Sequence, residues 1–223
     1  MKNHNLLLVA HPDDETLFFG GTLQVYRRRP WKVVCVTDGN ADGHGEKRRQ
    51  EFHSACRELQ VETSEVWHYP DLFDQRLDVE SLTARLRDEA PDEVFTHGPL
   101  GEYGHPHHQD VSLAAHRAFQ GRAPIWSVAY NAFAERIYQL SLDAYMRKAE
   151  VLSRIYFGET RRFARWLPAH SFEGFLRVEL KEVEALHRFL YEGTLPNVTD
   201  LRAFAWFHPY LEEFRRQTLQ RPF

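Results

Sequence analysis

The chain has 223 residues, 43% of them hydrophobic, and a formal net charge of −4. That composition supports one substantial core of ordinary globular type and gives no reason to expect a nucleic-acid or other polyanion partner. No apolar stretch approaches the ~20 residues of a membrane span. No signal-peptide pattern opens the chain, and Cys35 and Cys56 read as buried free thiols of a reducing compartment, so a cytoplasmic protein is expected. The bunches Arg27-Arg28-Arg29 and Arg161-Arg162-Arg165 read as solvated surface.

The first element is the apolar run Leu6 to Ala10, short and bounded by polar residues, as expected of a strand buried on both faces in a parallel sheet. Pro12 marks its exit, and a helix follows from Thr16, with Leu17, Phe18, Thr22, Val25 and Tyr26 at roughly helical spacing. Trp31 to Thr37 reads as a second strand closed by Asp38-Gly39. A polar, glycine-rich loop from Asn40 to Gly45 leads into a helix from about Glu46 to Leu59. A third strand near Glu65 to Tyr69 ends at Pro70-Asp71. Val79 to Glu89 is an amphipathic helix and Pro91 to His97 a fourth strand. After the loop Gly98 to Gly104 come a helix from about His107 to Phe119 and a fifth strand at Ile125 to Ala129.

Strands alternating with helices imply βαβ units, a mostly parallel sheet and a Rossmann-like, three-layer α/β fold. Beyond Asn131, Leu142 to Tyr156, Val178 to Tyr191 and Asp200 to Leu219 read as helices, and the aromatic density from Tyr156 to Phe175 reads as a packed cap. One domain is therefore expected, with a core at 1–130 and an elaboration at 131–223. Phe18, Phe19, Trp126 and Phe133 are expected in the core rather than as sugar-stacking surfaces.

Chemistry concentrates in two places. In open α/β sheets ligands bind beyond the carboxyl ends of the strands, and there the first strand presents His11-Pro12-Asp13-Asp14-Glu15. His11 and Asp14 can aim an imidazole and a carboxylate at one point, donor types that suit zinc. Asp13, between them, can act as a base toward a metal-bound water. The competing reading is that the three carboxylates only cap a helix and complement its dipole. The fourth strand ends at His97, and the segment after it carries Glu102, Tyr103, His105, His107, His108 and Asp110. Three histidines within four positions, at the equivalent end of another strand, favour a metal site, with zinc the first choice and Fe²⁺ or another divalent ion able to use the same ligands. A plain dinucleotide-binding protein is disfavoured because no G-x-G-x-x-G follows the first strand. His44 is a candidate lining residue. His68 and His97 end strands near the site, whereas His53 reads as helix surface and nothing singles out His116, His170, His187 or His208.

His11-Pro12-Asp13-Asp14-Glu15 together with Tyr103-Gly104-His105-Pro106-His107-His108 resembles the two signature motifs of the LmbE/PIG-L family of metal-dependent N-acetylglucosamine deacetylases. Weaker matches are Thr37-Asp38-Gly39, Arg48 with Glu51, Asp71, and Glu173-Gly174-Phe175. The resemblance implies a Rossmann-like fold and hydrolysis of an acetamido group on the sugar of a small-molecule conjugate or biosynthetic intermediate. It implies His11, Asp14 and His108 as metal ligands, Asp13 as general base, and His105 and Tyr103 at the oxyanion or the departing amine. Arg48, Asp38, His44 and His107 are then candidate substrate contacts.

The family usually carries Asp where this chain has His107. A histidine there cannot supply the negative charge that would orient the neighbouring imidazole, so Glu102 or Asp110 is a candidate for that role. His107 is also a candidate competing ligand. Alternatives kept open are a zinc amidase on a different N-acyl substrate and a non-catalytic, metal-retaining carbohydrate-binding protein, with a homo-oligomer possible in each case.

Overall fold

The computed structural model describes residues 4–26, 28–72, 74–160 and 170–220. Their elements run β1 (Asn5–Val9), α1 (Asp14–Val25), β2 (Trp31–Thr37), α2 (Gly45–Glu58), β3 (Thr63–Tyr69), α3 (Val79–Leu86), β4 (Glu93–Thr96), α4 (Pro106–Phe119), β5 (Ile125–Val128), β6 (Arg136–Gln139), α5 (Leu142–Arg154), α6 (Phe157–Thr160), β7 (Phe172–Leu176), α7 (Leu180–Glu192) and α8 (Leu211–Gln220). The pairings β1–β2, β2–β3 and β4–β5 are parallel and β5–β7 is antiparallel, so the strand structure is mixed and mostly parallel, as expected of the α/β class. Two compact units make up the chain: Met1–Asp71 with Arg136–Gly174, and Leu72–Glu135 with Phe175–Phe223.

In the first unit β1 registers on β2 from Asn5↔Trp31 to Val9↔Cys35, and β2 on β3 from Lys32↔Thr63 to Thr37↔Tyr69. Leu6 to Ala10 and Val33 to Val36 are buried throughout, because a parallel strand covered on both faces has no solvent side. Helix α1 is buried along nearly its whole length, from Asp14 to Leu23, and packs against α5. A helix with no polar face belongs inside. One carboxylate ties this packing together. Glu173 on β7 accepts from the Gly21 amide at 2.8 Å, from the Thr22 amide and hydroxyl at 2.7 Å each, and from Lys148 Nζ on α5 at 2.6 Å. Lys148 and Glu173 are both nearly fully buried.

In the second unit β4 registers on β5 from Val94↔Ile125, and β5 meets β7 at Ser127↔Leu176 and Val128↔Phe175. Helix α4 packs against α3 and α7. Leu113, Leu176, Val183, Leu186, Phe189, Phe204 and Leu211 form its apolar cluster. Helix α7 ends at Gly193, whose φ of 86° permits the left-handed turn in which its amide closes on the Phe189 carbonyl.

Three expectations need correction. The segment after Asn131 is not only helical and aromatic: it contributes the strands β6 and β7, which are partly exposed and interrupt their apolar residues with polar ones, so no buried-strand run marks them. The helix expected over 200–219 is an α-helix only from Leu211. Before it lie 3-10 turns at Val198–Asp200 and Ala205–Tyr210, and Pro209 lacks the amide that would extend α8 upstream. Phe133 is 77% exposed rather than core, whereas Phe18, Phe19 and Trp126 are buried as expected. Residues 161–169, which include Arg161, Arg162 and Arg165 and much of the expected aromatic cap, lie outside the described residues, as does Arg27.

Candidate active site

The first unit's share begins where β1 ends. Thr37 closes the strand by donating its amide (3.0 Å) and its hydroxyl (2.8 Å) to the Ala10 carbonyl, and His11 follows directly. Asp14, the first residue of α1, accepts the His11 amide at 2.9 Å and lies 3.4 Å from His11 Nδ1. On the other side of the ring, His11 Nε2 is 3.5 Å from Asp71 Oδ1, just past β3. Burial pushes the His11 imidazole down, but the Asp14 and Asp71 carboxylates outweigh it and raise its pKa to about 9. The pocket therefore favours a cation, and a metal arriving at His11 would replace that proton.

Asp13 sits between these groups with φ 113° and ψ −31°, outside the regions an L-residue ordinarily occupies. Such a conformation costs of order 1–3 kcal/mol and persists only where neighbours over-determine it. Its carbonyl accepts from the Thr16 (3.0 Å) and Leu17 (2.8 Å) amides, and its own amide donates to Glu15 Oε2 at 3.0 Å. Burial drives the Asp13 carboxyl well above the usual carboxylate range, with the Arg48 guanidinium opposing. A divalent cation beside it would act in the same direction as Arg48.

Arg48, on α2, donates from Nη2 to the Pro12 carbonyl at 3.0 Å. Its guanidinium lies 3.7 Å from Asp13 Oδ2 and 3.8 Å from Asp71 Oδ2. Asp38 Oδ1 accepts the amides of Asn40 (3.0 Å) and Asp71 (3.1 Å), so this carboxylate holds the turn that presents Asp71. His44 is exposed ahead of α2 and makes no capping bond through its side chain.

The second unit's share is built on the loop after β4. Gly101, Glu102 and Gly104 have φ of 69°, 54° and 97°, and the Gly101 and Gly104 amides close successive turns on the Gly98 and Gly101 carbonyls. This buries the Glu102 side chain beneath the loop, where Oε1 accepts the Gly98 amide at 2.8 Å. Oε2 takes the Nδ1 protons of His108, at 2.5 Å, and of His97, at 3.1 Å. Burial pushes the Glu102 carboxyl up, but His97 and His108 outweigh it and bring its pKa down to about 2. Glu102 thus sets a negative charge against His97 and His108, and it directs His108 so that the ligating nitrogen would be Nε2.

Asp110 does not share this role. It accepts from Arg76 Nε, from the Leu77 amide and from His187, and so anchors residues 76–77 to α4. His107 is likewise engaged, bonding the Gln75 carbonyl through Nε2 at 2.9 Å.

His105 caps α4, with its Nδ1 accepting the His107 amide at 3.3 Å and Pro106 in the first turn, where its missing amide is harmless. In the neutral ring the proton is then on Nε2. The His105 and His97 rings each stack on His108, with centroids 4.7 and 3.8 Å from it. Tyr103 meets His108 edge-on at 5.5 Å and His105 at 6.2 Å.

The residues able to serve a metal ion are an imidazole and two carboxylates in the first unit, His11, Asp14 and Asp71, and four imidazoles in the second, His97, His105, His107 and His108. Within the first unit Arg48 joins His11, Asp13 and Asp14, Asp38 acts through Asp71, and His44 stands apart. Within the second, Tyr103, His105 and His108 are together, and His107 faces Gln75. The candidate set did not include Asp71 or Glu15. Asp71 is signalled by its place after a strand and as a weak match to the family pattern, and Glu15 is masked by two acidic neighbours at a helix start.

This α/β protein carries a His-x-x-Asp turn after its first strand and a charge-supported histidine stack after its fourth, donor types that can hold a divalent metal ion. The chain belongs to the PIG-L family: the family model described as GlcNAc-PI de-N-acetylase matches residues 6–119. Among curated relatives it is 28% identical to a probable N-acetylglucosaminyl-phosphatidylinositol de-N-acetylase of Dictyostelium discoideum, over 50% of this chain and 48% of that protein. It is 30% identical to 1D-myo-inositol 2-acetamido-2-deoxy-alpha-D-glucopyranoside deacetylase 1 of Saccharopolyspora erythraea, over 49% of this chain and 52% of that protein. The chain thus spans about half the length of these curated relatives. The fold resembles N,N'-diacetylchitobiose deacetylase from Pyrococcus horikoshii, with a TM-score of 0.64, 22% identity, and coverage of 80% of this chain and 85% of that one.

Proposed function

We propose that the protein is a zinc-dependent N-deacetylase that hydrolyses the acetamido group of an N-acetylglucosamine-type sugar in a small-molecule conjugate or biosynthetic intermediate. The observation that carries this reading is the first unit's turn: His11 held between Asp14 and Asp71, with Asp13 fixed in a strained conformation between the two motif residues. The reading takes His11, Asp14 and His108 as metal ligands, and the mixed imidazole and carboxylate donor set fits zinc, with Fe²⁺ the next choice. A bound zinc ion would supply Lewis acidity and lower the pKa of water.

The rest belongs to the chain. Asp13 removes a proton from the water that attacks the acetyl carbon. Tyr103 and His105 donate to the oxygen that gains charge, and the proton taken up by Asp13 passes to the nitrogen as the C–N bond breaks, releasing acetate and the free amine. Arg48 holds Asp13 in register and borders the sugar. Of the other candidate contacts, Asp38 acts by holding the turn that presents Asp71, His107 is bonded to the Gln75 carbonyl, and the exposed His44 can meet only a more distant part of the substrate. Asp13 also weighs against a binding protein without turnover, since ligation alone needs no base there. A reducing, cytoplasmic setting is part of this reading, supported by the buried free thiols of Cys35 and Cys56. Among the described residues no helix is long and apolar enough to cross a membrane.

The test is acetate release from a panel of N-acetylglucosamine conjugates by metal-stripped protein, with and without added Zn²⁺. Zinc-dependent release is expected. Release of a longer acyl group, with acetyl sugars untouched, would replace this reading with an amidase of different specificity. A second expectation concerns the charge behind His108: Glu102→Gln keeps an acceptor but removes the anion and should weaken zinc binding ~10–100-fold. Competition against a chelating dye measures it, and unchanged affinity would remove Glu102 from this role.

A further inference from the structure

We propose that Glu15 and Tyr156 form a positioning pair that holds Asp13 in the backbone conformation its role as base requires; the inference rests on the deacetylase reading above. Asp13 is not glycine, yet its φ is 113°, so the turn must be enforced from outside. Its carbonyl is bound by the first amides of α1, which any helix start would supply. Its amide is the group with a particular demand, and Glu15 Oε2 meets it at 3.0 Å. The other oxygen of the same carboxylate accepts the Tyr156 hydroxyl at 2.8 Å and the Thr16 hydroxyl at 2.5 Å.

Glu15 is fully buried and Tyr156 is 1% exposed. Both Glu15 oxygens are thus engaged inside the first unit, which makes this carboxylate a brace rather than a reagent. Tyr156 follows α5, distant in sequence from Glu15, and its rigid ring carries a hydroxyl to one fixed point. That bond selects the Glu15 rotamer in which Oε2 faces the Asp13 amide. If the carboxylate turns away, Asp13 can relax toward an ordinary φ and its own carboxyl leaves its place. A displacement of about 1 Å at a reacting group can cost as much as ~10²-fold in rate.

The test uses the zinc-loaded protein and three variants, Tyr156→Phe, Glu15→Gln and Glu15→Ala. Hydrogen exchange of the segment 11–17 is measured in the metal-free forms. Tyr156→Phe is expected to lower kcat ~10-fold, and Glu15→Ala ~10²-fold, with KM and zinc content unchanged. Glu15→Gln, which can still accept the Asp13 amide, should recover most of the rate lost in Glu15→Ala. Exchange in Tyr156→Phe should quicken at 11–17 and not across β1 and β2. Unchanged kcat and unchanged exchange in Tyr156→Phe would overturn the proposal. So would a loss of activity that follows zinc content or the unfolded fraction, because that is a general structural defect. If the wild-type protein turns over no N-acetyl sugar, the deacetylase reading fails, and the exchange comparison still decides whether the pair holds the Asp13 turn.

Discussion

Asp13→Asn should lower kcat ~10²- to 10⁴-fold while leaving bound zinc and thermal stability near wild type. The substitution suits the question because asparagine is among the few non-glycine residues that tolerate a positive φ. The turn at φ 113° is therefore kept, and only the proton acceptor is lost. The proposed ligands on either side, His11 and Asp14, keep their mutual contacts, since the His11 amide bonds Asp14 rather than Asp13. Steady-state kinetics on the best substrate, with metal analysis of the same sample, tests the assignment. Activity within a few-fold of wild type would assign the base elsewhere. Asp13→Ala is the poorer probe, because it adds backbone strain to the loss of the carboxylate.

The second large effect is expected far from the chemistry. Glu173→Ala removes the acceptor shared by the Gly21 and Thr22 amides, the Thr22 hydroxyl and Lys148 Nζ, and leaves the lysine's charge buried without its counter-ion. Breaking one side of such a pair costs roughly 3–5 kcal/mol, which at ~2–4 °C per kcal/mol for a chain of this size lowers Tm by about 10 °C. Thermal unfolding measures this directly. The double variant Lys148→Met/Glu173→Gln should recover part of the loss, since an uncharged pair avoids the stranded ammonium. A single-variant shift of only a degree or two would show that solvent reaches the site. Glu173 thus has a structural explanation: it belongs to the weak late match with the family pattern, and what it does is fasten α1, α5 and β7 to one another.

How far each element could be read in advance follows from how its information is stored. Strands β1 and β2 are legible because burial on both faces writes an uninterrupted apolar run into Leu6–Ala10 and Val33–Val36. Helices α2, α4 and α7 are legible because a 3.6-residue period survives over thirteen or fourteen residues. Strands β6 and β7 escape although β4 and β5 are no longer. Strands β4 and β5 are largely buried, whereas β6 and β7 are partly exposed, carry no uninterrupted apolar run, and owe their identity to partners distant in the chain. Phe133 is misjudged for a related reason: composition says that aromatic residues prefer burial, but only the path of the loop decides whether a given one obtains it.

The candidate site divides along the same line. Local sequence determined which donors exist, because His11, Asp13 and Asp14 on one turn and Tyr103, His105 and His108 on another are set by spacing along a strand exit and a helix start. Tertiary structure decided which groups hold them. Asp71 reaches His11 only through the parallel pairing of β2 with β3. Tyr156 reaches Glu15 only because α5 packs against α1. Glu102 reaches His108 only because its loop carries three positive-φ residues. A covalent neighbour is specified by the chain itself, whereas a neighbour in space is specified by the sum of all the packing that brings two segments together.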